Sequence, residues 1–194
     1  MSVPASRFES AYRGTPPWDI GRAQPAIVRL ADTGQIAGSV LDVGCGTGEN
    51  VLYLAERGFA AAGVDGAPTA IRKARAKAKK RGLDVRFEVG DALDLSMPEQ
   101  FDTAIDSGLF HVFSDEERLR FRDSLGRVIR PGGSYFLMCF SEHEPGDWGP
   151  RRVTQAEIRS VFRAGWRVNY IQPSAFETNG GDAHAWLGSI SRLE

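Results

Sequence analysis

The sequence predicts an α/β fold: a mainly parallel sheet covered by helices on both faces. Three observations predict it. From Ser39 onward, short apolar runs alternate with segments of helical periodicity, the pattern of strands joined by crossover helices. The successive apolar runs end in glycine or aspartate, so one edge of the sheet gathers polar residues. The last two apolar runs follow each other across Gly180-Gly181 with no helix between them, which predicts an antiparallel hairpin at one edge.

In order, Arg13-Gly14-Thr15-Pro16-Pro17-Trp18-Asp19 reads as a loop, because two prolines fix φ and remove donors. Pro25 suits a first helical position, ahead of Ala26, Ile27, Leu30 and Ala31 on one face. Val40–Val43 is the first strand, Gly44–Gly48 a turn, and Val51, Leu52, Leu54 and Ala55 mark a helix that Gly58 ends. Ala60–Val64 is the second strand, and Pro68 opens a helix to about Arg81, stopped by Gly82. Val85–Val89 is the third strand and Thr103–Ile105 the centre of the fourth. Ser114 with Glu117, and Thr154 with Glu157, form capping boxes at the starts of two further helices. Arg130-Pro131-Gly132-Gly133 breaks the first of these and feeds the apolar run Tyr135–Phe140. Trp166–Ile171 and Ala185–Ile190 close the sheet. A chain of 194 residues with no repeat or composition break makes one domain.

Composition narrows the function. A formal net charge of −1 gives no electrostatic footprint for a phosphate backbone, so a nucleic-acid partner is not expected. No run of about 18 apolar residues supports a membrane span. Met1 to Glu9 lacks the basic-then-apolar order of a signal peptide, and Cys45 and Cys139 read as buried thiols, which together predict a cytoplasmic protein.

The chemistry is concentrated at Leu41-Asp42-Val43-Gly44-Cys45-Gly46-Thr47-Gly48. Glycines there permit positive φ and let a ligand approach the backbone, at the sheet edge where such folds bind nucleotides. A dinucleotide fingerprint needs a third glycine at position 49, which is Glu49, and no P-loop Lys-Ser/Thr follows. A carboxylate at the helix entrance repels a pyrophosphate, whereas Asp42 and Glu49 suit a cationic ligand. The second strand ends in Asp65, placed to accept ribose hydroxyls, followed by Gly66. The third ends at Asp91-Ala92, near which an adenine amino group can be received, and the fourth at Asp106-Ser107-Gly108.

VLDVGCGTG, GVDGAP, VGDALDL, FDTAID and IRPGG, in this order, resemble the successive motifs of class I S-adenosylmethionine-dependent methyltransferases over roughly residues 12 to 192. The resemblance implies a Rossmann-like three-layer sandwich with seven strands, the final one antiparallel. It also implies S-adenosylmethionine as cofactor, with Gly44, Cys45, Gly46 and Gly48 along its methionine and ribose portion, Asp42 just behind, Asp65 on the ribose, and Asp91 and Ala92 near the adenine. Asp106 and Ser107 complete the cofactor edge. Gly66 departs from the bulky apolar residue common there. Thr15-Pro16-Pro17-Trp18-Asp19-Ile20-Gly21 with Gln24-Pro25 resembles the thiopurine, thiol and halide methyltransferase branch, in which the N-terminal tryptophan covers the cofactor. That implies a small-molecule acceptor, a thiol, phenol or aromatic heterocycle, and a strap over residues 1–24 carrying Trp18.

Tyr12, Phe110, His111 and Trp148 are the candidate acceptor-pocket residues. His111 lies just beyond Asp106 with Phe110 and Phe113 as apolar walls, a position for a general base or an orienting group. The polar loop Ser141–Pro150 carries Trp148 and reads as a surface loop or a lid. Seven basic residues from Arg72 to Arg81 read as a solvated helix face, and three scattered histidines give no metal site. A non-catalytic S-adenosylmethionine sensor and an RNA or protein methyltransferase are the alternatives.

Overall fold

The computed structural model describes residues 5–194; the first residues of the N-terminal stretch read for a leader and a strap, 1–4, lie outside the described residues. After α1 (Ala5–Ala11) and α2 (Pro25–Asp32), β1 (Val40–Val43), α3 (Glu49–Glu56), β2 (Ala61–Asp65), α4 (Pro68–Arg81), β3 (Arg86–Val89) and β4 (Phe101–Ser107) alternate as expected. Then come α5 (Asp115–Val128), β5 (Ile129–Phe140), α6 (Gln155–Val161), β6 (Trp166–Thr178) and β7 (Gly181–Arg192). The seven strands form one sheet in the order β3-β2-β1-β4-β5-β7-β6. The pairs from β3 to β5 are parallel, and β7 runs antiparallel to both β5 and β6.

Alternation along the strands sorts the core into two faces. Leu41, Val43, Tyr135, Leu137 and Cys139 pack under α5 and α6, with Phe121, Leu125 and Ile158. Val40, Ile105, Phe136, Met138 and Phe140 face the other way, toward Ile27 and Leu30 of α2 and Leu54 of α3. Both capping boxes form: Ser114 Oγ accepts from Glu117 N–H at 3.2 Å, and Thr154 Oγ1 from Glu157 N–H at 3.1 Å.

Two elements depart from the sequence expectation. Arg130-Pro131-Gly132-Gly133 does not precede β5 but bulges from its start: Phe101 of β4 pairs with Ile129, and Thr103 next with Ser134. The closing strands run to 13 and 12 residues, far beyond their apolar centres, because a hairpin edge presents one face to water and so accepts polar residues along its length.

Candidate active site

The carboxyl ends of β1, β2 and β4 bring a glycine turn and three buried carboxylates together. Gly44 and Cys45 donate their N–H groups to the Val64 carbonyl at 2.8 and 3.0 Å, folding the turn against β2. Gly46 has φ +55°, and a Cβ there would lie 2.7 Å from Tyr12 Oη. Gly48 has φ +85° with its Cβ position 2.7 Å from the Phe87 ring. Neither position accepts a side chain without strain. Asp65 pins the turn from below: Oδ2 accepts from Gly46 N–H and Oδ1 from Ala67 N–H, both at 2.8 Å. Burial raises its carboxyl pKa, against the pull of those two hydrogen bonds.

Asp42 is buried behind the turn. Its Oδ2 is 3.5 Å from Asn50 Nδ2, and its Oδ1 has no partner. Burial, with the neighbouring Asp106 and Asp65 carboxylates, pushes its pKa up to about 8. Asp106 is also buried and is raised to about 7, but its oxygens are committed: Oδ1 accepts from Leu109 N–H at 2.7 Å, Oδ2 from Phe110 N–H at 2.9 Å and Tyr135 Oη–H at 3.0 Å. The hydroxyl of Ser107 is likewise buried without a partner. Asp91 caps a short 3₁₀ turn at Ala92–Asp94, its Oδ1 accepting from Leu93 N–H at 2.9 Å, and a cavity of about 200 Å³ opens beside it. Gly66 is half-buried between Asp65 and the start of α4.

Glu49 is neutralised within the chain. Its carboxylate pairs with Lys77 at 2.7 Å and Arg81 at 2.6 Å on α4, the helix read from sequence as a solvated basic face. Burial opposes its ionisation, yet the two cations hold its pKa below the ordinary value.

The N-terminal segment lies across the glycine turn. Tyr12, 4% exposed, packs on Ala67 and Ala70 of α4, and Trp18 Nε1 donates to its hydroxyl at 3.0 Å. Glu9 caps α4 by accepting from Thr69 N–H at 3.0 Å, and Asp19 accepts from Thr47 Oγ1 of the turn at 2.8 Å. The far end is clasped to the β6–β7 hairpin. Gln24 Nε2 donates to the Glu177 carbonyl at 2.9 Å while its Oε1 accepts from Glu177 N–H at 3.1 Å, and Asn179 N–H donates to the Pro17 carbonyl at 2.8 Å. Gln24 and Asn179 carry no local sequence signal, since each acts across more than 150 residues of chain.

Phe110 and His111 diverge in the 3₁₀ turn after β4, and Phe110 does not take its expected place. Phe110 is fully buried on the α5–α6 face, 6.1 Å from the Phe162 ring and under the Arg118 guanidinium, so it belongs to the core and not to a pocket wall. Phe113 packs beside it on Phe121. His111 turns to the opposite face, between Phe140 and Phe176, with ring centroids 5.1 and 6.2 Å away. Its Nδ1 accepts from Phe140 N–H at 3.0 Å, replacing the partner that β4 does not supply beyond Ser107. Burial holds the imidazole at a pKa of about 3, the Gly108 backbone opposing and Arg118 and Arg152 adding to the effect. A neutral imidazole whose Nδ1 accepts from Phe140 N–H ties the turn after β4 to β5.

Trp148 is 47% exposed, edge-on to Phe140 at 5.3 Å, on the loop between β5 and α6. The aromatic group of Phe140, Phe176 and Trp148 draws on three distant stretches of chain. Of these only Trp148 was legible in the sequence, where Phe140 and Phe176 look like ordinary strand residues.

Comparison with known proteins agrees with this geometry. A family model described as methyltransferase domain matches residues 40–133. The chain is 40% identical over 185 residues to the 2-heptyl-1-hydroxyquinolin-4(1H)-one methyltransferase of Mycobacteroides abscessus, covering 89% of this chain and 82% of that one. A solved structure from work on conversion of a disulfide bond into a thioacetal group during echinomycin biosynthesis superposes with a TM-score of 0.91 at 38% identity, covering 97% of this chain and 93% of that one. The 1,6-didemethyltoxoflavin-N1-methyltransferase of Burkholderia thailandensis shares the fold, with a TM-score of 0.74 at 20% identity over 100% and 92% of the two chains. The chain belongs to the class I S-adenosylmethionine-dependent methyltransferases. It is an enzyme that uses S-adenosylmethionine as methyl donor. Among the described residues, no helix is long and apolar enough to cross a membrane.

The residues present fit that cofactor. The orphaned Oδ1 of Asp42 is a buried acceptor suited to an ammonium group.

Proposed function

We propose that the chain methylates a planar aromatic acceptor at an oxygen or sulfur that reaches the enzyme already ionised. The observation that carries this reading is His111: its imidazole is buried, neutral and occupied at Nδ1, while Asp106 is engaged by three donors. The exposed ring of Trp148, backed edge-on by the buried Phe140, suits a flat acceptor, and the similarity to a hydroxyquinolinone methyltransferase supports the same class.

When bound, S-adenosylmethionine supplies an electrophilic methyl group on a positive sulfur. The chain's work is then orientation and exclusion of water rather than acid–base chemistry. Gly44, Cys45, Gly46 and Gly48 line the methionine and ribose end, with Asp42 facing the ammonium. Asp65 offers its remaining lone pairs to the ribose hydroxyls. Asp91 and Ala92 flank the adenine, with Gly66 on its other side, and Asp106 and Ser107 close the edge of the site nearest β4. Tyr12 and Trp18 cover the turn from the strap, and Trp148 covers the acceptor.

The test is turnover of S-adenosylmethionine with matched panels of phenols, thiophenols, N-hydroxy heteroaromatics and aliphatic alcohols. Methylated product from the first three classes and none from the alcohols is expected. Turnover of aliphatic alcohols at comparable rates would require a base and would sink the reading.

A further inference from the structure

The loop between β5 and α6 is wound around one side chain. Arg152 donates from Nε to the Glu144 carbonyl at 3.1 Å. One terminal nitrogen donates to the Trp148 and Pro150 carbonyls, each at 2.7 Å, and the other to those of Pro145 and Gly146, each at 3.1 Å. A guanidinium has five N–H donors, and here all five meet main-chain oxygens. A surface loop of this length has no regular ladder of its own, so this one cation stands in for it.

The same bonds leave the charge without a counter-ion. Among the described residues no carboxylate lies within ion-pair distance of Arg152, and those nearby in sequence or space are held elsewhere. Glu142 accepts from Trp186 Nε1, Glu144 accepts from His184 N–H, and Asp115 and Glu157 pair with Arg151. Asp147 is exposed on the loop, His143 lies against Trp186, and Arg118 on the far side of His111 pairs with Glu157. The Arg152 guanidinium carbon sits 5.5 Å from the Phe140 ring centroid and 5.7 Å from that of Trp148. A positive charge with no ion-pair partner among the described residues therefore stands against the Phe140 and Trp148 rings.

We propose that Arg152 selects the charge of the acceptor: it holds the 144–150 loop as a preformed cover bearing Trp148, and its unpaired charge favours aromatic acceptors that are anionic at the methyl-accepting atom over neutral ones. This makes it a positioning residue, acting through the loop and the field, and it rests on the acceptor end assigned above. Carbonyl oxygens solvate the half-buried cation without cancelling its charge, so a field attenuated by solvent still reaches the acceptor across Phe140 and Trp148.

A chromophoric acceptor reads this directly. In the complex of the wild-type enzyme with S-adenosylhomocysteine, bound 4-nitrophenol or 4-nitrothiophenol is titrated by absorbance. The account expects the bound probe to stay ionised to a pH about one unit below that of the free probe, a roughly tenfold preference for the anion. Arg152→Gln should abolish the shift, while Arg152→Lys should retain most of it despite loosening the loop, because lysine keeps the charge and loses the fork. Affinity for S-adenosylhomocysteine should be the same in all three proteins. A wild-type probe that ionises as it does in water, or as a weaker acid, would overturn the proposal even if neither variant folds. Equal loss of the shift in Lys and Gln variants with intact thermal transitions would leave Arg152 as loop scaffold only and would also overturn the charge assignment. Absence of methyl transfer to any aromatic acceptor would instead strike the functional reading itself, so the two failures are separable.

Discussion

The two halves of the sheet edge are built from different materials. At the β1–β2 end the site is main chain and carboxylate: glycines at positive φ, N–H groups turned onto Asp65, and Asp42 left with one oxygen unmatched. At the β4–β7 end it is aromatic side chains and two covering segments, tied down by Gln24, Asn179 and Arg152. The first half holds what every reaction of the class shares, and close backbone approach leaves it little freedom. The second is assembled from residues far apart in the chain, where substitution alters the acceptor without touching the cofactor. Specificity is expected to live there.

That division can be broken by substitution, and the cofactor half should respond most. Asp65→Ala removes both the support of the glycine turn and the ribose acceptor, and should weaken S-adenosylhomocysteine by about 1.5–3 kcal/mol in titration calorimetry. An unchanged dissociation constant would remove Asp65 from the site. Asp42 should show opposite effects on stability and binding. Its folded pKa, about 8, lies above the unfolded value of 3.8, so the folded cofactor-free chain holds the proton more tightly. The resulting penalty is absent below about pH 4, grows between pH 4 and 8, and persists above. Asp42→Asn should therefore melt higher than wild type at pH 8, match it near pH 4, and bind S-adenosylhomocysteine more weakly by on the order of 2 kcal/mol. Wild-type binding at pH 7 should release protons, visible as a heat that depends on buffer, because an ammonium opposite Asp42 favours its ionised form.

The acceptor half should respond more quietly. His111→Ala orphans the Phe140 N–H and should cost about 1–2 kcal/mol of stability in a denaturant titration, with the pH dependence of turnover unmoved. Loss of an acidic limb from the rate profile in that variant would restore the base assignment. Trp148→Ala should raise the acceptor KM roughly tenfold, the scale of one aromatic contact, while the cofactor affinity stays put. A drop in cofactor affinity as large as that from Asp65→Ala would erase the boundary between the halves.

The same boundary governs what could be read from the sequence. Strand–helix alternation, both capping boxes, the edge hairpin and the glycine turn are local patterns, and each appears in the structure where the spacing puts it. Glu49 misled because a helix entrance says nothing of a basic helix, α4, folding back to neutralise it. Phe110 misled because adjacent residues in a 3₁₀ turn leave on opposite faces of the sheet, and the direction depends on which backbone donor lacks a partner. Arg152 gave no signal, since its five acceptors are main-chain carbonyls that any sequence supplies.

The central claim is that this enzyme positions its acceptor and does not deprotonate it. It is tested at saturating S-adenosylmethionine by the pH dependence of kcat/KM for the acceptor across a series of ring-substituted phenols and thiophenols of graded acidity, which reports ionisation of the free acceptor and of the cofactor-bound enzyme. The account predicts one ascending limb whose inflection moves with the acceptor's own pKa throughout the series. An inflection fixed at one pH for every acceptor would reveal an ionising group on the protein and contradict it.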